Sequence, residues 1–261
     1  MEGSVTKIAA FRHGISLGAE TMRIVLLTTG AVRRRYFVEK LGERFPIARV
    51  LIETRDPPPP IPTDHPSDEA RKVREISYWY DGRPPSFANI AEIQFYENLN
   101  DSNALSAMRE IKPDVILVYG TGKLGNDVLD ICPNSCLNFH NGDPERYRGL
   151  DCHLWPLYHR DFDALQMTLH KIEGSLDTGD IVDRRPVPLY ENMPLADLRR
   201  TACEISVEMT IAALDRFEKI GKFEGAAQHH KGRYYSYMPA VLKDICNRNF
   251  ERYTATLRTN T

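Results

Sequence analysis

Three polar residues have the types and spacing for chemistry on a carbonyl group. Asn138 and His140 close an apolar run, Cys136-Leu137-Asn138-Phe139-His140, and Asp177 follows 37 residues after His140 in Leu176-Asp177-Thr178-Gly179-Asp180-Ile181. Side chains alternate between the faces of a strand, so Asn138 and His140 point the same way. A carboxamide beside an imidazole suits a carbonyl oxygen that gains negative charge as its carbon is attacked. Asp177, in a turn-forming Asp-x-Gly, can return to orient that imidazole or keep it charged. No Ser or Cys accompanies the three as an activated nucleophile, which leaves the nucleophile to the substrate.

The elements that must position these residues alternate along the chain. Segments 24–28, 48–53, 93–96, 114–119 and 135–140 are short apolar runs suited to buried strands, and 166–171 and 181–189 read as further strands. Apolar residues at helical spacing mark helices at 32–44, 68–80, 104–111, 150–160 and 194–220, with a shorter one at 125–131 that Pro133 ends. This alternation predicts an α/β fold, a Rossmann-like and mostly parallel sheet with helices on both faces. Ligands of such sheets bind beyond the carboxyl ends of the strands, where Asn138 and His140 fall.

The main domain is expected at 22–220. Residues 1–21 show neither period and read as a frayed N-terminal extension, and 221–261 as a short C-terminal tail. Pro57–Pro60 and Pro62 exclude a central strand or helix, so 55–90 is expected to leave the core as a flap or an oligomer contact. Its Tyr78, Trp79 and Tyr80 read as packing residues. In the tail, Tyr234, Tyr235 and Tyr237 either stack on a sugar or base or dock the tail on the domain. A homodimer through the excursion or the tail is compatible with this organisation.

Two loops could hold a ligand. Gly120-Thr121-Gly122-Lys123-Leu124-Gly125 is a literal G-x-G-x-x-G, but it follows the fourth strand rather than the first and opens a short helix. Both features speak against a dinucleotide site, and Leu124 stands where a phosphate-binding P-loop needs Ser or Thr. Arg33, Arg34 and Arg35 fall in the first turn of the 32–44 helix, where cations oppose the helix dipole. They form either an anion site for a phosphate or pyrophosphate of the substrate or a solvated basic face. His170 reads as a packed or solvated strand residue. His153 and His159 fall on different helix faces and make no metal pair.

Composition excludes several classes. The chain has 261 residues, 42% hydrophobic and 27% charged, with a net charge of −2. It lacks the basic excess of a general nucleic-acid-binding surface. It has no apolar run long enough to span a bilayer and no leader pattern, so a cytoplasmic protein is expected. The five cysteines, without Cys-x-x-Cys spacing, are expected to be reduced, buried thiols rather than disulfides or zinc ligands.

The Asn-x-His of Asn138 and His140, the loop Arg146-Tyr147-Arg148-Gly149 and the Leu-Asp-Thr-Gly-Asp-Ile segment, in this order and spacing, resemble the folate-dependent formyltransferases over roughly residues 23–189. The resemblance implies 10-formyltetrahydrofolate as co-substrate, a small-molecule amine as acceptor and no metal. It assigns catalysis to Asn138, protonated His140 and Asp177, with Asp177 keeping His140 charged. It places Tyr119, Gly120, Thr121, Gly122, Lys123 and Leu124 along the folate, and Arg33, Arg34, Tyr147, Arg148 and Gly149 at the acceptor. One departure follows His140, where the family usually has Pro and this chain has Asn141. The wording around Tyr147–Leu157 looks most like the sugar N-formyltransferases, so the acceptor expected is an amino-sugar nucleotide of cell-envelope polysaccharide synthesis. A hydroxyornithine-type amine, methionyl-tRNA, water (formyl-folate hydrolysis) and a non-catalytic nucleotide-binding protein stand as alternatives.

Overall fold

A computed structural model describes residues 21–83 and 90–258. The expected extension at 1–21 lies outside them apart from Thr21. Seven strands form one sheet in the order β3-β2-β1-β4-β5-β7-β8. β1 (Ile24–Thr29) pairs in parallel with β2 (Ile47–Glu53) and β4 (Val115–Tyr119), β2 with β3 (Ile93–Tyr96), and β4 with β5 (Cys136–His140). β7 (Gln166–Lys171) runs antiparallel to β5, and β8 (Ile181–Pro186) antiparallel to β7. The sheet is thus mostly parallel, as the alternation of strands and helices predicts.

Pleating sorts the strand residues into two cores. Leu117, Tyr119, Leu137 and Phe139 face one layer, with Phe37 and Leu41 of α1 (Val32–Gly42) and Leu198, Ala202 and Met209 of α6 (Leu195–Ile220). Ile116, Val118 and Cys136 face the other, with Leu105 and Met108 of α3 (Ser102–Ile111) and Val128 of α4 (Asn126–Leu129). Each of these fully buried aliphatic side chains contributes roughly 1.5–3 kcal/mol of hydrophobic stabilisation. α6 can run for 26 residues because it contains neither Gly nor Pro. It ends at Gly221, whose φ of 72° lets its N–H turn back to the Phe217 carbonyl at 2.7 Å. All five cysteines are buried and unpaired.

The stretch 55–90 contains α2 (Pro66–Tyr80), the crossover helix between β2 and β3. Pro66 opens it and His65 caps it, with Nδ1 accepting from the Ser67 N–H at 3.2 Å. Arg74 holds Asp197 of α6 through two bonds of 2.7 and 2.9 Å, and Trp79 stacks on Tyr36 of α1 at 4.2 Å. Trp79 and Tyr80 therefore pack as expected, whereas Tyr78 stays exposed under the Arg200 guanidinium. The described part of this stretch is a layer on the α1–α6 face of the sheet.

Two differences concern the region after β5. The helix expected at 150–160 is only α5 (Trp155–His159). Pro156 has no N–H to donate and fits only the first turn, so the helix cannot begin as early as Leu150. The loop before it contains a short strand, β6 (Tyr147–Gly149), which pairs in parallel with β9 (Arg233–Tyr235) from the tail. α7 (Ala240–Thr254) then packs on α5, with Asn249 donating to the Leu157 carbonyl at 2.9 Å.

Candidate active site

Asn138 and His140 share the face of β5 that looks towards the α3–α4 layer. Antiparallel register places His170 of β7 directly opposite Asn138. The Asn138 amide donates to His170 Nε2 at 3.1 Å, and His170 Nδ1 donates to the Lys171 carbonyl at 2.8 Å. Both ring nitrogens of His170 are thus engaged. The second Asn138 N–H has no acceptor among the described residues and faces the cleft.

Asp177 sits where the three meet. Its backbone is left-handed, with φ of 54°, and its side chain is 6% exposed. Oδ2 accepts from the Gly149 N–H at 2.9 Å and lies 3.6 Å from His140 Nδ1, while Oδ1 lies 3.6 Å from His170 Nε2. Burial pushes the Asp177 carboxyl up, but the His170 ring, His140 and the Gly149 N–H outweigh it and hold the group at about 2. Asp177 is therefore ionised at neutral pH.

His140 departs from expectation. The sequence predicts an imidazolium kept charged by Asp177. Burial instead dominates and lowers the His140 pKa below its ordinary value, and the opposing pull of Asp177 does not overcome it. Its Nε2–H donates to the Tyr147 carbonyl at 2.8 Å, so the resting ring is neutral with an unprotonated Nδ1 facing the carboxylate.

A cleft of about 350 Å³ opens beside this group. Thr121, Gly122, Lys123 and Leu124 form one wall, Asn138, His170 and Asp177 the floor, and Leu150, Leu176 and Tyr234 the rim. The Gly122 N–H donates to Glu53 Oε2 at 2.6 Å, which anchors the loop to the end of β2. Tyr119 and Gly120, whose backbone is expected along the same wall, are not among the residues that line this cleft. The Tyr119 side chain follows the alternation of β4 into the opposite core, against Phe37 and Phe139. A Cβ at Gly120 would run into the Arg34 guanidinium.

The Arg146–Gly149 loop positions the group more than it lines the cleft. The Tyr147 ring is buried against Tyr235 at 5.3 Å, and its hydroxyl donates to Asp161 at 3.1 Å. Arg148 is buried, with Nε and Nη1 lacking partners among the described residues. Gly149 has φ of 96°, and a Cβ there would strike the Tyr235 carbonyl. The tail tyrosines divide their tasks: Tyr235 docks the tail, while Tyr234 is exposed on the rim. Arg34 and Arg35 are buried rather than solvated; Arg34 stacks on Tyr119 at 3.4 Å and Arg35 pairs with Glu39 at 3.0 Å.

A mostly parallel α/β sheet with its cleft at the carboxyl ends of the central strands defines a doubly wound, ligand-binding class of protein. Residues 70–214 match the formyl transferase family, and the chain belongs to that family, as the Asn-x-His resemblance implies. It is 29% identical to methionyl-tRNA formyltransferase of Thermotoga maritima over 85% of this chain and 66% of that one. The chain spans about half the length of the relatives it matches, 46% and 55% in two others. The fold is shared with HypX from Aquifex aeolicus solved in complex with tetrahydrofolic acid (TM-score 0.57, 17% identity, 92% of this chain and 35% of that one). It is also shared with the sugar 3N-formyl transferase WlaRD (TM-score 0.53, 14% identity, 84% and 70%).

Proposed function

We propose that this chain transfers the formyl group of 10-formyltetrahydrofolate to the primary amine of an amino-sugar nucleotide. One observation carries the transfer reading: Asn138 and Asp177 lie on the floor of the cleft walled by Thr121–Leu124, with His140 3.6 Å from the Asp177 carboxylate. The co-substrate would lie in that cleft with its formyl carbon over Asn138. The amine nitrogen attacks this carbon and the carbonyl electrons move to oxygen. The free Asn138 N–H donates to the oxyanion; losing one such donor typically costs about 3 kcal/mol of barrier. His140, neutral at rest, takes the proton that the attacking nitrogen must lose, and Asp177 stabilises the imidazolium so formed. Collapse breaks the bond between the formyl carbon and the folate nitrogen, which leaves with that proton. Holding the amine at the formyl carbon supplies the rest of the acceleration.

A small acceptor fits a net charge of −2, which offers little electrostatic pull on a nucleic acid. The sequence relatives favour a second reading, methionyl-tRNA, the acceptor in their name. Single-turnover release of tetrahydrofolate separates them, with amino-sugar nucleotides, methionyl-tRNA, hydroxyornithine or no amine as partner. Turnover with a sugar nucleotide and its loss by a hundredfold or more in Asn138→Ala are expected. Full activity of Asn138→Ala would sink the assignment of that residue, and turnover without amine would make the protein a hydrolase.

A further inference from the structure

The chain that leaves α6 returns over the reaction centre as an exposed strap. From Glu224 to Lys231 every residue is exposed except Gln228, which turns inward. Its amide nitrogen donates both hydrogens, one to the Asp177 carbonyl at 3.0 Å and one to the Gly179 carbonyl at 2.9 Å. A primary amide has two N–H donors, so Gln228 commits its whole donor capacity to this one loop. Among the described residues no other group donates to either carbonyl.

The loop is one that needs holding. Asp177 keeps its carboxylate 3.6 Å from His140 Nδ1 and 3.6 Å from His170 Nε2, with its own backbone at φ of 54°. A non-glycine residue stays in that conformation only where its surroundings impose it. One side of the loop rests on β7: the Lys171 N–H donates to the Asp180 carbonyl at 2.9 Å, and a Cβ at Gly179 would run into the Lys171 carbonyl. The strap covers the other side. Just before Gln228, Ile181 and Ala226 exchange backbone bonds of 2.8 and 2.9 Å. Just after it, the N–H groups of His229 and His230 donate to Glu145 Oε1 at 2.7 and 3.2 Å. Gly232 then packs so closely on the Pro144 carbonyl that a Cβ would clash with it. Pro144 and Glu145 belong to the loop that leaves β5 after His140. The strap thus ties the loop of Asp177 to the loop of His140, and Gln228 is its hold on Asp177 itself.

We propose that Gln228 is a positioning residue for formyl transfer, which fixes the Asp177 backbone so that the carboxylate stays within reach of His140. This rests on the transfer reading, in which Asp177 stabilises the imidazolium formed at His140. The gap of 3.6 Å is longer than a hydrogen bond and must shorten when His140 takes up a proton. A misplacement of about 1 Å at such a point can cost on the order of a hundredfold in rate. His170 and Asp143 also act on the charge of His140, but from β7 and from the loop after β5, and Gln228 bonds neither. Gln228 does not line the cleft, so it acts through Asp177 and not on the co-substrate.

The test is Gln228→Met in the full chain, which keeps the length of the side chain and removes both donors. Circular dichroism checks the fold. In single-turnover and steady-state assays, kcat should fall at least about tenfold, with KM for the co-substrate within about twofold of the parent. In an Asp177→Asn background the same substitution should cost nothing further, because its effect passes through a carboxylate already removed. NMR titration of the His140 ring without substrates reads the geometry apart from activity. Burial lowers the His140 pKa and Asp177 is the strongest pull in the other direction, so Gln228→Met should move the titration to lower pH. An unchanged His140 titration, or an equal fall in kcat in both backgrounds, would overturn the proposal. A variant that does not fold would assign the amide to stability instead and equally overturn it. The His140 shift in a protein that transfers formyl to no acceptor would keep the positioning role for Gln228 and remove the transfer reading.

Discussion

At the scale of single residues, the protonation of His140 decides how the group works. A carboxylate 3.6 Å away would ordinarily keep an imidazole charged, yet burial to 5% exposure outweighs it. If the neutral ring is the active form, kcat/KM should fall on the acid side only below the ordinary histidine value of 6.5. Asp177 raises the His140 pKa, so Asp177→Asn should lower it further and move the acid limb to lower pH, while reducing the maximal rate. A limb that moves to higher pH would show that another group titrates there. The same carboxylate links pH to stability. Asp177 is depressed from 3.8 to about 2, so its contribution is complete above pH 3.8 and is lost as the pH falls through 2. That contribution is on the order of 2 kcal/mol.

At the scale of elements, the strands were legible because Val, Ile and Leu runs such as Ile24–Thr29 and Val115–Tyr119 have no other use than burial. Alternation also placed Asn138 and His140 on one face. His170 was not legible as a neighbour of Asn138, because their contact depends on an antiparallel return across 32 residues that no local pattern specifies. Alternation sends the Tyr119 side chain into the core beside Phe37 and Phe139 and leaves only its backbone to the loop. The β6–β9 pair offers a test at this scale. Gly149→Ala should cost about 1–3 kcal/mol, because its φ of 96° is left-handed and the added Cβ meets the Tyr235 carbonyl. A lower Tm with at least a partial loss of transfer is expected; an unchanged Tm would mean that the tail does not press on this loop.

At the scale of the whole molecule, the tail completes a domain whose sheet ends at β8. β9 backs the Arg146–Gly149 loop, Tyr234 lines the cleft and α7 covers α5. The segment between α6 and β9 is largely exposed, with hydrogen bonds from Gln228 to the Asp177 and Gly179 carbonyls at 3.0 and 2.9 Å. A single proteolytic cut there should leave the sheet folded by circular dichroism and the fragments associated, with transfer slowed. Dissociation accompanied by global unfolding would show that α7 holds the main core rather than finishing the cleft. The β6–β9 pairing also sets a timetable. A ribosome delivers the chain from its N-terminus, so all seven strands of the main sheet and α6 emerge before Arg233–Tyr235. The last wall of the cleft arrives only after the main sheet is complete, and a nascent chain can acquire its fold before it can acquire its activity.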